Sequence, residues 1–134
     1  MNINKSLINS AISEAKKSTF DFRLGAIIYK KSKIISRGCN HQHRYRRKLH
    51  PKYQNWIGTI HAEAECILTA NKPLKNTTML VVRLGGSDNL LLAKPCIYCQ
   101  DYINNTGIKR VIYSISNNSF GIIERGNYCG KVEI

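Results

Sequence analysis

No stretch of the 134-residue chain reaches the roughly 18 consecutive apolar residues that a membrane-spanning helix needs. The opening MNINKSLINSAISEAKKSTF is broken throughout by charges and amides, whereas a secretory leader needs an uninterrupted apolar stretch. These two absences predict an intracellular, cytoplasmic protein with no membrane partner. Acidic residues are scarce too: eight Asp and Glu stand against 21 Lys and Arg, for a net charge of +13. Between Asp21 and Glu63 there is none at all, so some anion is the expected partner. A coding bias toward Lys, Asn and Ile accounts for part of the lysine content and less well for the arginines and histidines clustered in that interval. Paired cysteines are lacking as well. The count is five, which disfavours a disulfide framework and leaves the thiols for ligand, nucleophile or core roles. Internal repeats, low-complexity segments and linkers are absent, and the length suits one core, so residues 1–134 are expected to form a single domain.

What is present falls into alternating elements. From Asn4, the positions Leu7, Ile8, Ala11, Ile12 and Ala15 have helical spacing, and Lys16 and Lys17 would close a helix ending near Ser18. Two β-rich runs, Leu24 to Tyr29 and Lys33 to Gly38, flank a polar turn at Lys31 and Ser32 and predict a hairpin. Residues 39–60 show neither period and predict a long surface loop. A helix is expected from His61 through AEAECILTAN, stopped by Pro73. TTMLVVRL and IKRVIYSI read as buried strands, and GGSDNLLLAK as a loop. PCIYCQDYINNTG, with proline at its start and glycine at its end, reads as a short helix. The last 19 residues offer one more short strand around Gly121 to Glu124. The order α-β-β-α-β-α-β-(β) is that of an α/β protein with a mixed sheet.

Two short motifs carry chemistry: HAE at 61–63 and PCIYC at 95–99. An imidazole and two thiolates suit tetrahedral zinc, and the set His61, Cys96 and Cys99 supplies three ligands with one position open, the arrangement of a catalytic site. Each motif begins a predicted helix, where the positive dipole end favours thiolate. Glu63, two residues past His61, is placed to take a proton from water made acidic by the metal. The competing reading is a four-ligand structural zinc that recruits Cys39, Cys66, Cys129 or His41. Cys66 fits better as a small core residue, and Cys39 and Cys129 as packing residues.

This ordered pair of motifs resembles the cytidine and deoxycytidylate deaminase superfamily of zinc-dependent nucleobase deaminases, whose signature is H-x-E followed by P-C-x-x-C. The hairpin ending in RGCN and the segment INNTGIKRVIYS look like the deoxycytidylate branch, and the resemblance covers roughly residues 1–115. It implies a three-layer α/β/α fold, a mixed central sheet of about five strands with helices on both faces, and zinc as cofactor. It further implies that His61, Cys96 and Cys99 bind the metal and that Glu63 shuttles protons while water attacks C4 of cytosine to give uracil. The Ala62 backbone N–H would hold the base carbonyl and Asn40 the sugar. The last 19 residues are too short for the branch's extra helix and parallel strand, so an antiparallel or truncated sheet edge is expected.

The substrate is read from HQHRYRRKLHPKYQNW at 41–56. Arg44, Arg46, Arg47, Lys48 and Lys52 supply phosphate contacts, and Tyr45, Tyr53 and Trp56 supply rings for stacking, the pairing that single-strand binders use. The structural alternative for this segment is a solvated basic insertion or part of an oligomer interface. Lys94 precedes the proline-cysteine pair where polynucleotide-editing relatives of vertebrates show SW, and it counts with Asn40 and Ala62 among the candidate substrate contacts. The favoured substrate is a cytosine nucleotide of dCMP or CMP type. Cytosine, or less readily adenine, in single-stranded nucleic acid comes next, and a zinc-stabilised nucleic-acid-binding module without activity stands as the alternative of another class. Self-association is expected from the habits of relatives.

Overall fold

The computed structural model describes residues 3–42, 59–124 and 127–133, with side chains at 3–41 and 61–124. Within these, β1 (Arg23–Lys30) and β2 (Lys33–Cys39) form the expected hairpin; Lys31 and Ser32 turn it, both with positive φ, as in a two-residue hairpin whose twist matches its strands. Strand β5 (Thr78–Leu84) runs antiparallel to β1 and parallel to β7 (Arg110–Ser116). Strands β8 (Ser119–Glu124) and β9 (Asn127–Glu133) then add antiparallel to the β7 edge. The sheet order is β2-β1-β5-β7-β8-β9, with the short β6 (Leu90–Leu91) pairing with β5. The sheet is therefore mixed as expected, and larger than the five strands predicted.

Both faces are covered. Helix α1 (Lys5–Ala15), capped by the Asn4 side chain on the Ser6 N–H, lays Leu7, Ile8, Ala11 and Ala15 on Ile27, Leu80, Val82, Ile112 and Phe120. On the opposite face α2 (Ala62–Leu68) and α3 (Ile97–Asn104) cover Ala26, Ile28, Met79, Val81 and Val111. The alternation of neighbours along β1 and β5 between the two clusters is the period of two of a strand buried on both sides.

Several boundaries differ from the sequence reading. Helix α1 stops at Ala15, with Lys16 as its cap, so Lys16 and Lys17 lie just beyond the last turn. Helix α2 ends at Leu68, well before Pro73, with Thr69 as its C-cap and the Thr69 hydroxyl folded back onto the Glu65 and Cys66 carbonyls. The predicted loop at 39–60 begins and ends in a small two-stranded sheet, β3 (His41–Gln42) with β4 (Thr59–Ile60). The C-terminal segment holds two strands where one was predicted. Among the described residues, no helix is long and apolar enough to cross a membrane.

Candidate metal centre and catalytic cleft

Two helix starts meet at the site. His61 is the N-cap of α2, in extended backbone, and Cys96 is the N-cap of α3, its sulfur accepting the Cys99 N–H at 3.5 Å. Close packing of α2 on the hairpin sets the first group. Ala62, Ala64 and Cys66 are fully buried, and Gly38 of β2 lies directly under the helix backbone. The second group is set through Ser114 of β7, whose buried hydroxyl accepts from the Arg83 N–H and donates to the Leu91 carbonyl. The Ser114 carbonyl in turn accepts the Ala93 N–H at 2.8 Å. The chain is thus tied down just before Pro95, whose carbonyl the Gln100 side chain clamps at 2.8 Å.

His61 Nδ1 lies 3.2 Å from Cys99 Sγ and 3.7 Å from Cys96 Sγ. All three ligand atoms fall within 4.8 Å of one another. Tetrahedral zinc, with bonds of about 2.0 Å to nitrogen and 2.3 Å to sulfur, separates the two atom types by roughly 3.5 Å. The donors therefore fit the ion in both type and spacing. Electrostatics agree. The hydrogen bond from the Cys99 thiol pulls Cys96 down to about 4, and that same bond, with burial, pushes Cys99 well above the usual thiol range. The bond to Cys96 raises the His61 imidazole against the opposing effect of burial. The cluster holds protons that a divalent cation would displace. Among the described residues this is the one such group; Cys39 is not part of it, and the Cys129 side chain lies outside the described residues. His41 pairs with Glu65 at 3.2 Å, and the Cys66 thiol, pushed up to about 12 by burial, sits in the core.

Glu63 is 4% exposed, and its Oε1 has no hydrogen-bond partner. Burial raises the carboxyl above its ordinary value, opposed by a hydrogen bond from its own backbone and by His61. With His61 and Cys96 it lines a cleft of about 190 Å³. The remaining walls are Phe22, Leu24, Arg83, Leu92, Ala93 and Lys94. Of these the sequence reading had named only Lys94. Arg83 sits over the Phe22 ring, 4.4 Å from its centroid, and its buried Nε has no partner. Its one advance signal was a cation at the end of an otherwise apolar strand. Asn40 is buried beside this wall: its Oδ1 accepts the Leu24 N–H at 2.9 Å, and its Nδ2 donates to the Phe22 carbonyl at 2.6 Å. Ala62 is the first residue of α2, in the turn whose N–H groups have no intrahelical acceptor. Arg44, Tyr45, Arg46, Arg47, Lys48, Lys52, Tyr53 and Trp56 lie outside the described residues.

Comparison with known proteins follows the same line. The chain is 29% identical over 119 residues to a tRNA-specific adenosine deaminase of Streptococcus pyogenes serotype M1, a match covering 87% of this chain and 61% of that relative's length. Its fold is similar to a cytidine deaminase from Burkholderia pseudomallei, with TM-score 0.68, 16% identity, and 93% and 94% of the two chains covered. It is also similar to the dCMP deaminase of the cyanophage S-TIM5, with TM-score 0.61, 17% identity, and 83% and 81% covered. The family model for the cytidine and deoxycytidylate deaminase zinc-binding region matches residues 1–115, and this chain belongs to that family.

Proposed function

We propose that the protein hydrolyses cytosine to uracil in a nucleotide of dCMP or CMP type, with His61, Cys96 and Cys99 as zinc ligands and Glu63 as the proton shuttle. The observation that carries this reading is a buried carboxylate with one unpartnered oxygen, lining the same cleft as the His and Cys donors. Such a group has no structural reason to be there, since burying an unsatisfied polar atom is costly. Zinc bound to the three donors supplies Lewis-acid chemistry that brings the pKa of water to about 7.

Glu63 then has four proton transfers to make. It takes a proton from the attacking water and delivers it to the ring nitrogen next to C4, then takes the second proton from the hydroxyl now on C4 and delivers it to the amino group, which leaves as ammonia. The atoms balance as cytosine plus water giving uracil plus ammonia. A carboxyl whose pKa is raised by burial both accepts and returns protons readily. Arg83 and Lys94 line the same cleft, where Glu63 is the single acid among the described residues, which suits a phosphate-bearing substrate. Asn40 holds the Phe22 and Leu24 wall in place, and the Ala62 N–H is the donor assigned to the base carbonyl.

A second reading, deamination of cytosine or adenine within a nucleic acid strand, is favoured by Phe22, Leu92, Ile97 and Tyr98. All four are more than half exposed, and they stand in the cleft wall or beside Cys96 on α3. Rings at such a mouth can stack flanking bases. The deciding experiment incubates zinc-loaded protein separately with dCMP, CMP, cytidine, single-stranded DNA and RNA, and looks for uracil and for deaminated adenine. Product from the mononucleotides supports the first reading; product from polymers alone replaces it with the second. Glu63→Gln should keep its zinc and lose roughly 10²- to 10⁴-fold in turnover. Unchanged turnover in that variant would refute the assignment.

A further inference from the structure

A second, larger cleft lies away from the zinc ligands, and no step above uses it. It measures about 640 Å³ and is lined by Lys30, Lys31, Lys33, Lys72 and Lys75, contributed by the β1–β2 turn and the α2–β5 connection. We infer that this lysine-lined cleft binds the phosphodiester backbone of a nucleic acid strand, as a docking surface separate from the catalytic cleft.

Three observations support the assignment. All five lysines are exposed, and among the described residues none has a carboxylate within ion-pair distance. Five of the eight acids are engaged elsewhere: Glu14 with Lys17, Asp88 with Arg23, Glu65 with His41, and Glu124 with Arg110, while Glu63 lies in the catalytic cleft. Five like charges around one concavity repel one another, and the arrangement is relieved when anions enter. The walls between the charges are partly apolar: Ile35 and Pro73 stand in the lining beside Asn76, so a ligand with both phosphates and apolar ring faces is accommodated where a small inorganic anion would leave the apolar part wet.

Position separates this cleft from the active site. Leu24, at one end of β1, lines the catalytic cleft, and Lys30, at the other end, lines this one. Six residues of extended strand span about 20 Å at 3.3 Å each. A mononucleotide in the catalytic cleft cannot reach the lysines, so an occupant of both clefts at once would be a polymer. The docking inference does not depend on which base is deaminated, and it would stand even for a protein that deaminates only free nucleotides.

The test measures binding of a short fluorescein-labelled single-stranded RNA by fluorescence anisotropy over a series of salt concentrations. It compares the wild-type chain with a variant carrying Lys30→Gln, Lys33→Gln, Lys72→Gln and Lys75→Gln. Each lost single-strand phosphate contact flattens the plot of log affinity against log salt by about 0.7, so the slope should fall by about 3. The corresponding Lys→Arg variant should retain the wild-type slope. If the fourfold variant does not fold, the pairs Lys30 with Lys33 and Lys72 with Lys75 should each give about half the effect. An unchanged slope in a variant with wild-type melting temperature overturns the inference. So does loss of poly-glutamate binding with RNA binding intact, which would make the cleft a site for acidic protein.

Discussion

Replacing Gly38 by alanine would test whether the packing of α2 on the hairpin sets the metal centre. A Cβ at position 38 would lie 2.6 Å from the Cys66 nitrogen and 2.8 Å from the Ala62 carbonyl oxygen. Ordinary contact begins near about 3.5 Å, so the shortfall is roughly 0.8 Å. Both atoms are backbone of α2, so no side-chain rotation relieves the overlap. Strand β2 is held by its ladder to β1, with Gly38 opposite Ala26, and the displacement therefore falls on the helix. His61 and Glu63 move with α2, while Cys96 and Cys99 stay where Ser114 and Gln100 hold them. Overpacking of this kind costs about 1 to 3 kcal/mol. A misplacement approaching 1 Å costs roughly 10²-fold in turnover. Thermal melting, zinc affinity by competition with a chromophoric chelator, and kcat/KM on the substrate identified above would be measured together. The Gly38→Ala variant should melt several degrees lower, bind zinc more weakly and turn over roughly 10²-fold more slowly even where fully folded. Wild-type zinc affinity and turnover in the folded variant would refute the reasoning.

Gly25→Ala makes the matching perturbation on the other face, where the new Cβ would meet the Ala11 and Ala15 backbone of α1. It should lower the melting temperature while leaving one zinc per folded chain, and loss of zinc from the folded variant would contradict the two-faced layout. Asn40→Ala removes the bonds to the Leu24 N–H and the Phe22 carbonyl, both part-buried, at about 0.5 to 1.5 kcal/mol for each; chemical denaturation measures it, and an unaltered midpoint would show that neither bond matters. Arg83→Ala should weaken kcat/KM for a nucleotide by roughly tenfold or more, the scale of a hydrogen bond to a charged group, and leave the nucleoside unaffected. An equal effect on both would remove Arg83 from phosphate recognition. Chelation of zinc should open Cys96, exposed at the helix start, to alkylation while Cys66, with no exposed surface, stays unmodified; mass spectrometry of the labelled peptides reads the order, and early labelling of Cys66 would place it outside the core.

What was legible in the sequence and what was not separates along one line: whether the constraint is local. Helix α1, the β1–β2 hairpin and strands β5 and β7 announce themselves because each buries a regular face and the period survives in the residues. Strand β9 does not. NYCGKVE has neither sustained alternation nor a branched run, and its strand character comes from the ladder that β8 offers. The end of α2 falls earlier than the sequence suggests because Pro73 is a conspicuous stop, while the C-cap at Thr69 carries no comparable signal. The donor set His61, Cys96 and Cys99, which the fold brings together, was legible for a chemical reason: zinc demands particular atom types, and few residues supply them. The cleft wall carries no such signature. Phe22, Leu24, Arg83 and Leu92 come from separate segments and serve the site through tertiary pairing. One register contact, Leu24 opposite Arg83 in the β1–β5 ladder, brings the guanidinium to the wall that Asn40 braces. A shift of that pairing by one residue would turn Arg83 to the other face of the sheet, and with it every other side chain of β5. The chemistry proposed for this protein is thus written in two short motifs, whereas the cleft wall proposed to choose among substrates depends on how distant strands align.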